Sequence, residues 1–305
     1  MKIFVTGSSG CIASALLPAL CSQSWVESIT GIDVKGGDFQ HEKFKPLQLD
    51  MRDAQLKTLI QGHDAVVHLG FAVSQGKLSD AEMRSVNVDG SAHVVDAARV
   101  AGIRKFINMS SISVYGSGEN MDESRTPAPP TWFAYAQHKL AVEQYIQRNL
   151  PEAIQFRAHL VEGARAQKFL REIFLLPVWL DFGANAPKQQ VVHEDDVVDA
   201  VLAGLQQDVR GLYNLAAPDI IALGGDYIRK GQEEGRKIRR MRFGIVRALA
   251  KVGRLFIQKD LLTLISMLDT TSTATCEKAA RDLGWRPKRS AWDARLDALK
   301  SLGKA

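Results

Sequence analysis

The sequence predicts an α/β fold: a doubly wound parallel sheet followed by a small, mostly helical C-terminal subdomain. Three observations carry this. Short β-like runs alternate with helical patterns through the first half of the chain. The best of those runs are continuously apolar rather than alternating, as strands buried on both faces must be. A glycine loop joins the first such run to the first helical pattern.

In order, Lys2–Thr6 reads as a strand, Ile12 to Ser22 as a helix and Ser28–Asp33 as a second strand. Ala65–Leu69, AVVHL, is another strand, and a long helical stretch runs from about Asp80 to Ala101. Lys105–Met109 is a further strand. Pro127, Pro129 and Pro130 stop the chain before a helix expected over Trp132 to Asn149. After Ala158 the pattern loosens. Val191–His193, a helix from about Glu194 to Gln206 and the strand-like run Leu212–Ala216 continue the sheet, and Asp226 to Ala305 reads as mostly helical. The division expected is a Rossmann-type domain over 1–160, with 161–305 holding the rest of the sheet interleaved with a substrate-binding subdomain.

Composition narrows the class. The chain has 305 residues, 46% hydrophobic and 24% charged, enough for one large domain or two modest ones. No apolar run is long enough to span a bilayer, and the N-terminus MKIFVTGSSG lacks the unbroken apolar core of a signal peptide. Cys11, Cys21 and Cys276 are odd in number and lack metal-ligand spacing, so neither a disulfide framework nor a zinc site is expected, and a reducing cytoplasm fits. Net charge is +5 and the pI about 9.1. That excess is too mild and too local for nucleic-acid binding. Between Arg229 and Arg254 lie ten basic residues and only Glu233 and Glu234 as acids. Ile245, Leu249, Val252 and Phe256 recur there at helical spacing, which predicts an amphipathic helix with its apolar face on the core. Contact of its basic face with an anionic substrate group is the alternative; membrane contact is not expected.

The chemistry-bearing residues fall in two sets. In TGSSGCIA, Thr6 to Ala13, Gly7 permits the tight turn, Gly10 lets a pyrophosphate approach the backbone and Ala13 allows close helix–strand packing. The helix start offers N–H groups to phosphate. Asp33 ends the second strand, where a carboxylate accepts hydrogen bonds from ribose hydroxyls and repels a 2′-phosphate, so NAD is expected rather than NADP. Nearby Lys35 keeps NADP open.

The second set is Tyr135 and Lys139, four apart in YAQHK, hence one turn apart on one helix face. A phenol near pKa ~10 is a poor acid–base group at neutral pH, and an adjacent ammonium is expected to lower it. The lysine can also bond the nicotinamide ribose. Ser111, in MSSISVYG, is placed to hold a substrate oxygen beside Tyr135. The expected chemistry is hydride transfer between nicotinamide and a carbon bearing oxygen. His68 is expected to be a satisfied core histidine and His138 a surface residue. His193 with Glu194, Asp195 and Asp196 reads as a capped helix start rather than a metal site.

These residues together resemble the short-chain dehydrogenase/reductase superfamily, and within it the extended branch known as the NAD-dependent epimerase/dehydratase family. TGSSGCIA is similar to that family's TGxxGxxG, with Ala13 for the last glycine. VVHLGFA (Val66 to Ala72), NVDGS (Asn87 to Ser91), SSISVYG, YAQHK, VVHEDDVVDAVLAGL and ARDLGWRPKRS match its later segments in order. The resemblance implies a catalytic trio of Ser111, Tyr135 and Lys139. It also implies cofactor contacts at Gly7, Ser9, Gly10, Cys11, Ile12, Asp33, Asp50, Met51, Leu69, Gly70, Phe71 and Asn87, the last as a buttress. A homodimer through the helices at about Asp80–Ala101 and Trp132–Asn149 is implied as well.

The departures from the family pattern are informative. Dehydratases of the family carry an Asp-Glu pair in the segment occupied here by Ser111-Ile112-Ser113, and neither acid is present, so dehydration is not expected. Nucleotide-sugar epimerases carry an Asn in the segment that here reads FRAHLVEGA, Phe156 to Ala164. The stretch from Arg157 to Val191 is short and rich in Leu, Phe and Trp. The expectation is therefore an NAD(P)-dependent oxidoreductase for a secondary alcohol or ketone on a small or apolar molecule. An epimerase working by transient oxidation and a cofactor-bound module without turnover are the rivals.

Overall fold

A computed structural model describes residues 1–73, 78–167, 178–183, 186–222, 224, 226, 229, 233, 235, 237–244 and 268–302. Its centre is a seven-stranded sheet in which every pairing is parallel. The strands are β1 (Lys2–Thr6), β2 (Ser28–Asp33), β3 (Phe44–Gln48), β4 (Ala65–His68), β5 (Lys105–Ser111), β7 (Ile154–Ala158) and β12 (Gly211–Leu215). Their order is β12-β7-β5-β4-β1-β2-β3. The chain winds outward from β1 in both directions, so the switch point lies between β1 and β4. Ligands of such sheets bind in the crevice outside the carboxyl ends of the strands at that point.

Both faces are covered, which is why the inner strands β1 and β4 are buried almost throughout. In β1, Ile3 and Val5 pack against α1 (Cys11–Cys21), through Leu16 and Leu20, and against α6 (Glu194–Gln206), through Val197 and Val201. Phe4 points to the opposite face. There it meets α2 (Leu56–Leu59), α4 (Gly90–Val100) and α5 (Ala134–Asn149), through Leu56, Val94 and Ile146.

The long helical stretch expected from Asp80 to Ala101 is present, but it is not α-helical throughout. α3 (Asp80–Arg84), whose N-terminus is closed by a Ser79–Glu82 capping box, passes into a five-residue π turn at Ser85–Asp89 before α4 begins. The extra residue per turn rotates Asn87 inward to full burial. The strand expected to end at Met109 runs on to Ser111, so Ser111 is the last strand residue rather than part of the following loop.

Beyond the main sheet, β6 (Gly118–Met121), β10 (Lys188–Gln189), β13 (Ile221–Ala222) and β15 (Ser272–Ala274) form a second small sheet. β8 (Leu160–Glu162) pairs with β11 (Val191–His193), and β9 (Val178–Asp181) with β14 (Arg239–Arg242). Among the described residues the C-terminal part contributes two of these strands beside α7 (Glu277–Leu283) and α8 (Ala291–Lys300). The amphipathic helix expected around Ile245, Leu249, Val252 and Phe256 lies outside the described residues.

The acids after His193 are more than caps. The His193 ring caps α6 by accepting from Asp195 N at 3.0 Å. Buried Asp196 accepts from the backbone N–H groups of Lys288 and Arg289, and its own carbonyl accepts from the Trp285 indole at 2.8 Å. Glu194 accepts from Arg165 N. A buried bidentate pair, Glu162–Arg295, holds α8 to β8 with two bonds of 2.6 Å. The LGWRPKRS segment is therefore a clasp that pins the C-terminal elements to the main sheet.

Candidate active site

The carboxyl ends of β1, β2, β4 and β5 carry the glycine loop, Asp33, the Leu69–Phe71 loop and Ser111. At the first, Gly7 has φ +71°, and a Cβ there would stand 2.6 Å from Gly70 N. Only glycine fits both demands. Leu69 N donates to Thr6 O at 3.1 Å and Gly70 N to the Thr6 hydroxyl at 3.2 Å, so the β4 loop lies directly on the glycine loop. Gly10 is the N-cap of α1, and no side chain caps that helix start. A Cβ on Gly10 would meet only its own loop's Gly7 carbonyl, at 3.1 Å. Among the described residues no side chain caps this helix start and nothing else lies within 4 Å of that Cβ, an arrangement suited to a pyrophosphate.

Asp33 faces the same loop. One carboxylate oxygen accepts from Ser9 N at 3.1 Å and the other from Lys35 N at 2.9 Å. It remains half-exposed, with lone pairs left for a ribose diol. Asp50 is held differently: Arg52 bonds both of its oxygens and keeps the carboxyl below the usual carboxylate range. Met51 beside it is buried against Gly70 and Gly90. Cys11 and Ile12 open α1, both half-buried.

Asn87 is a buttress in the literal sense. Its amide accepts from Ala72 N at 2.7 Å and donates to Ala72 O at 3.0 Å, as a neighbouring strand would. It also donates to His138 Nδ1 at 3.4 Å. The side chain thus fixes the Leu69–Ala72 loop from behind. His138 is correspondingly half-buried, not the free surface residue its place on the helix led us to expect. His68 is the satisfied core histidine expected, bonded to Thr6 Oγ1 at 2.7 Å and Ser91 Oγ at 2.8 Å; burial pushes its pKa down to about 3.

Ser111, Tyr135 and Lys139 meet where the end of β5 faces the first turns of α5. The Ser111 hydroxyl accepts from Ser113 N at 3.2 Å and from the Ser113 hydroxyl at 2.9 Å, leaving its own proton for another acceptor. Tyr135 packs edge-on against Phe71, 5.5 Å between centroids, and against Phe133 at 5.6 Å. Phe133 in turn stacks on exposed Trp132. Lys139 is buried, donates to Met109 O at 2.6 Å and sits 3.6 Å over the Phe71 ring.

The electrostatics correct one expectation. Burial pushes the Tyr135 phenol up to about 12, with the Ser111 hydroxyl opposing, rather than the lysine pulling it down. Lys139 is itself brought down to about 7 by burial, with Glu143 opposing. Its ammonium is turned to a carbonyl and the Phe71 face, 5.7 Å from the Tyr135 ring centre. Ser113, Met109 and Glu143 escaped the sequence reading. Ser113 alone left a signal there, as a second hydroxyl two residues after Ser111. Among the described residues no group of three or more His, Cys, Asp or Glu side chains gathers to hold a metal.

Comparison with known proteins places this architecture. A ketoreductase from Stigmatella aurantiaca, named for 4-hydroxy-2-methyl-3-oxo-4-farnesyl-3,4-dihydroquinoline-1-oxide, is 27% identical over 100% of this chain and 97% of its own. A UDP-glucose 4-epimerase from Mycolicibacterium smegmatis is 31% identical over 49% of this chain and 52% of its own. The UDP-glucuronic acid 4-epimerase of Bacillus cereus, solved with UDP-glucuronic acid and NAD, superposes with a TM-score of 0.79. That superposition covers 99% of each chain at 21% identity and is a likeness of fold. A family model described as the NAD dependent epimerase/dehydratase family matches residues 3–216. With the glycine cradle, the β4 loop and the doubly wound sheet all inside that span, the chain belongs to the NAD dependent epimerase/dehydratase family.

Proposed function

We propose that this protein is a reductase or dehydrogenase acting on a ketone or secondary alcohol of a small or apolar molecule, through Ser111, Tyr135 and Lys139. The observation that carries the reading is the convergence of those three side chains at the end of β5, inside an aromatic wall of Phe71, Phe133 and Trp132. NADH would supply the hydride when bound; the Gly7–Gly10 loop would hold it, with Asp33 for the adenosine ribose, Asp50 and Met51 for the adenine and Leu69–Phe71 for the remainder. Ser111 donates its free proton to the substrate oxygen. Tyr135 gives its phenolic proton to that oxygen as the carbonyl carbon gains the hydride. A phenol held near 12 is protonated throughout neutral pH, which is the state reduction needs. Lys139 would hold the nicotinamide ribose, and its ammonium would offset the negative charge left on Tyr135 once the proton has gone.

The Ser111-Ile112-Ser113 segment, without the acid pair of dehydratases, and the FRAHLVEGA segment without Asn favour net oxidoreduction. The likeness of fold to sugar epimerases supports the rival, transient oxidation and re-reduction with a retained cofactor. A panel of ketones, secondary alcohols and UDP-sugars followed by NADH absorbance separates the two. Stoichiometric NADH loss with a ketone is expected. Interconversion of a UDP-sugar with no net absorbance change would sink the reductase reading, and the absence of any turnover would leave a binding module.

The division into 1–160 and 161–305, a cytoplasmic location and a homodimer through the α3–α4 and α5 helices belong to the same proposal. No helix among the described residues is long and apolar enough to cross a membrane.

A further inference from the structure

A buried charge network lies directly behind the proposed catalytic groups. Glu143 sits on α5 one turn after Lys139 and is 1% exposed. Its carboxylate accepts from Arg157 Nε at 2.9 Å, from Arg157 Nη2 at 2.6 Å and from the Ser110 hydroxyl. Arg157, on β7, is equally buried; its guanidinium lies 4.5 Å over the Tyr115 ring, and its Nη1 has no hydrogen-bond partner. A buried ion pair is weak evidence for stability, since apolar residues of similar size do as well or better. The third bond, to Ser110, points elsewhere. Ser110 stands between Met109, whose carbonyl receives Lys139, and Ser111. One carboxylate therefore reaches two of the three proposed catalytic groups, by two routes.

The surroundings of Lys139 leave Glu143 as the acid that acts on it. His68, on β4, is held neutral, with a pKa pushed down to about 3. Tyr135, on the same helix, keeps its proton. Phe71 offers only its ring face. Arg157 bonds Glu143 rather than any group around Lys139.

We infer that Glu143 is a positioning residue: it anchors the end of β5 through Ser110, so that Met109 and Ser111 stand where the site needs them, and it keeps Lys139 in its ammonium form. The inference rests on the reading of Lys139 as the lysine that holds the nicotinamide ribose.

The test is the pH dependence of NADH binding, read by nicotinamide fluorescence, which needs no substrate. Wild type is expected to lose affinity as pH rises past about 7, where Lys139 gives up its proton. In Glu143→Gln that midpoint moves down by about one pH unit or more, because a buried ammonium loses its counter-charge. Glu143→Asp moves it part of the way back. Since Glu143→Gln leaves a buried arginine unpaired, the double variant Glu143→Gln/Arg157→Met removes both charges, and the same downward shift is expected in that folded protein. A midpoint that disappears in Lys139→Met yet stays unmoved in the folded double variant overturns the role of Glu143 alone. A midpoint that survives Lys139→Met overturns the assignment of Lys139, and this inference with it.

Discussion

The two walls of the proposed site, one proposed for the cofactor and one for catalysis, are built from different materials. The cofactor wall, at the ends of β1 and β2, is backbone: a glycine at φ +71°, an uncapped helix start and a half-exposed carboxylate held by two N–H groups. The catalytic wall, at the end of β5 and along α5, is side chain: a lysine brought down to about 7 and a phenol pushed up to about 12, both by burial. Binding a dinucleotide requires shape and hydrogen-bond donors at the surface. Moving a proton requires groups removed from water. The two walls should therefore fail differently when altered.

The largest effect is expected on the catalytic wall. Tyr135→Phe should lower turnover by roughly 10²–10⁴-fold, the usual worth of a positioned acid, while NADH affinity measured by fluorescence stays unchanged. Loss of affinity alongside turnover would mean that the walls are not separable. Gly7→Ala should do the reverse. A left-handed φ costs a residue with Cβ about 1–2 kcal/mol, and the contact with Gly70 N adds to it. NADH affinity should fall by tenfold or more, with the catalytic pKa values unmoved. Asp33→Asn should act on the same wall more gently. Removing a charged acceptor costs about 1.5–3 kcal/mol, so NAD should weaken by roughly tenfold or more and its preference over NADP should shrink.

The last effect, absent at neutral pH, reaches stability rather than binding. His68 titrates near 3 in the folded protein against 6.5 unfolded. A base with a lowered folded pKa binds more protons when unfolded, so stability is intact above 6.5 and falls as pH drops from there towards 3. Chemical denaturation at several pH values should show that slope and show it reduced in His68→Asn. An equal slope in both proteins would place the acid sensitivity elsewhere.

The same contrast explains what was legible in the chain. The glycine loop, Asp33 and the strands β1, β2, β4 and β5 were readable because local backbone demands leave local marks: Gly7 for a positive φ, continuous apolar runs for strands covered twice. Ser111, Tyr135 and Lys139 were readable as a pattern, and their neighbourhood was not. The raised phenol depends on Phe71 and Phe133 closing around Tyr135, and Lys139 turns to Met109 because β5 passes beneath α5. β3 was missed because FKPLQ is an edge strand with one buried residue, and so lacks the apolar signal of the inner strands. The π turn was hidden because one inserted residue barely disturbs a helical pattern. Asp196 read as a helix-start acid because its partners, Lys288 and Arg289, lie far along the chain.

The account stands or falls on hydride passing directly from nicotinamide to a substrate carbon under the control of Tyr135. The most direct measurement is deuterium transfer from NADH labelled at the nicotinamide C4, with the product analysed by mass spectrometry and NMR. The account predicts one deuterium at the carbinol carbon for wild type and almost none in the same time for Tyr135→Phe. Product formed without deuterium, or labelled equally by both proteins, would contradict it.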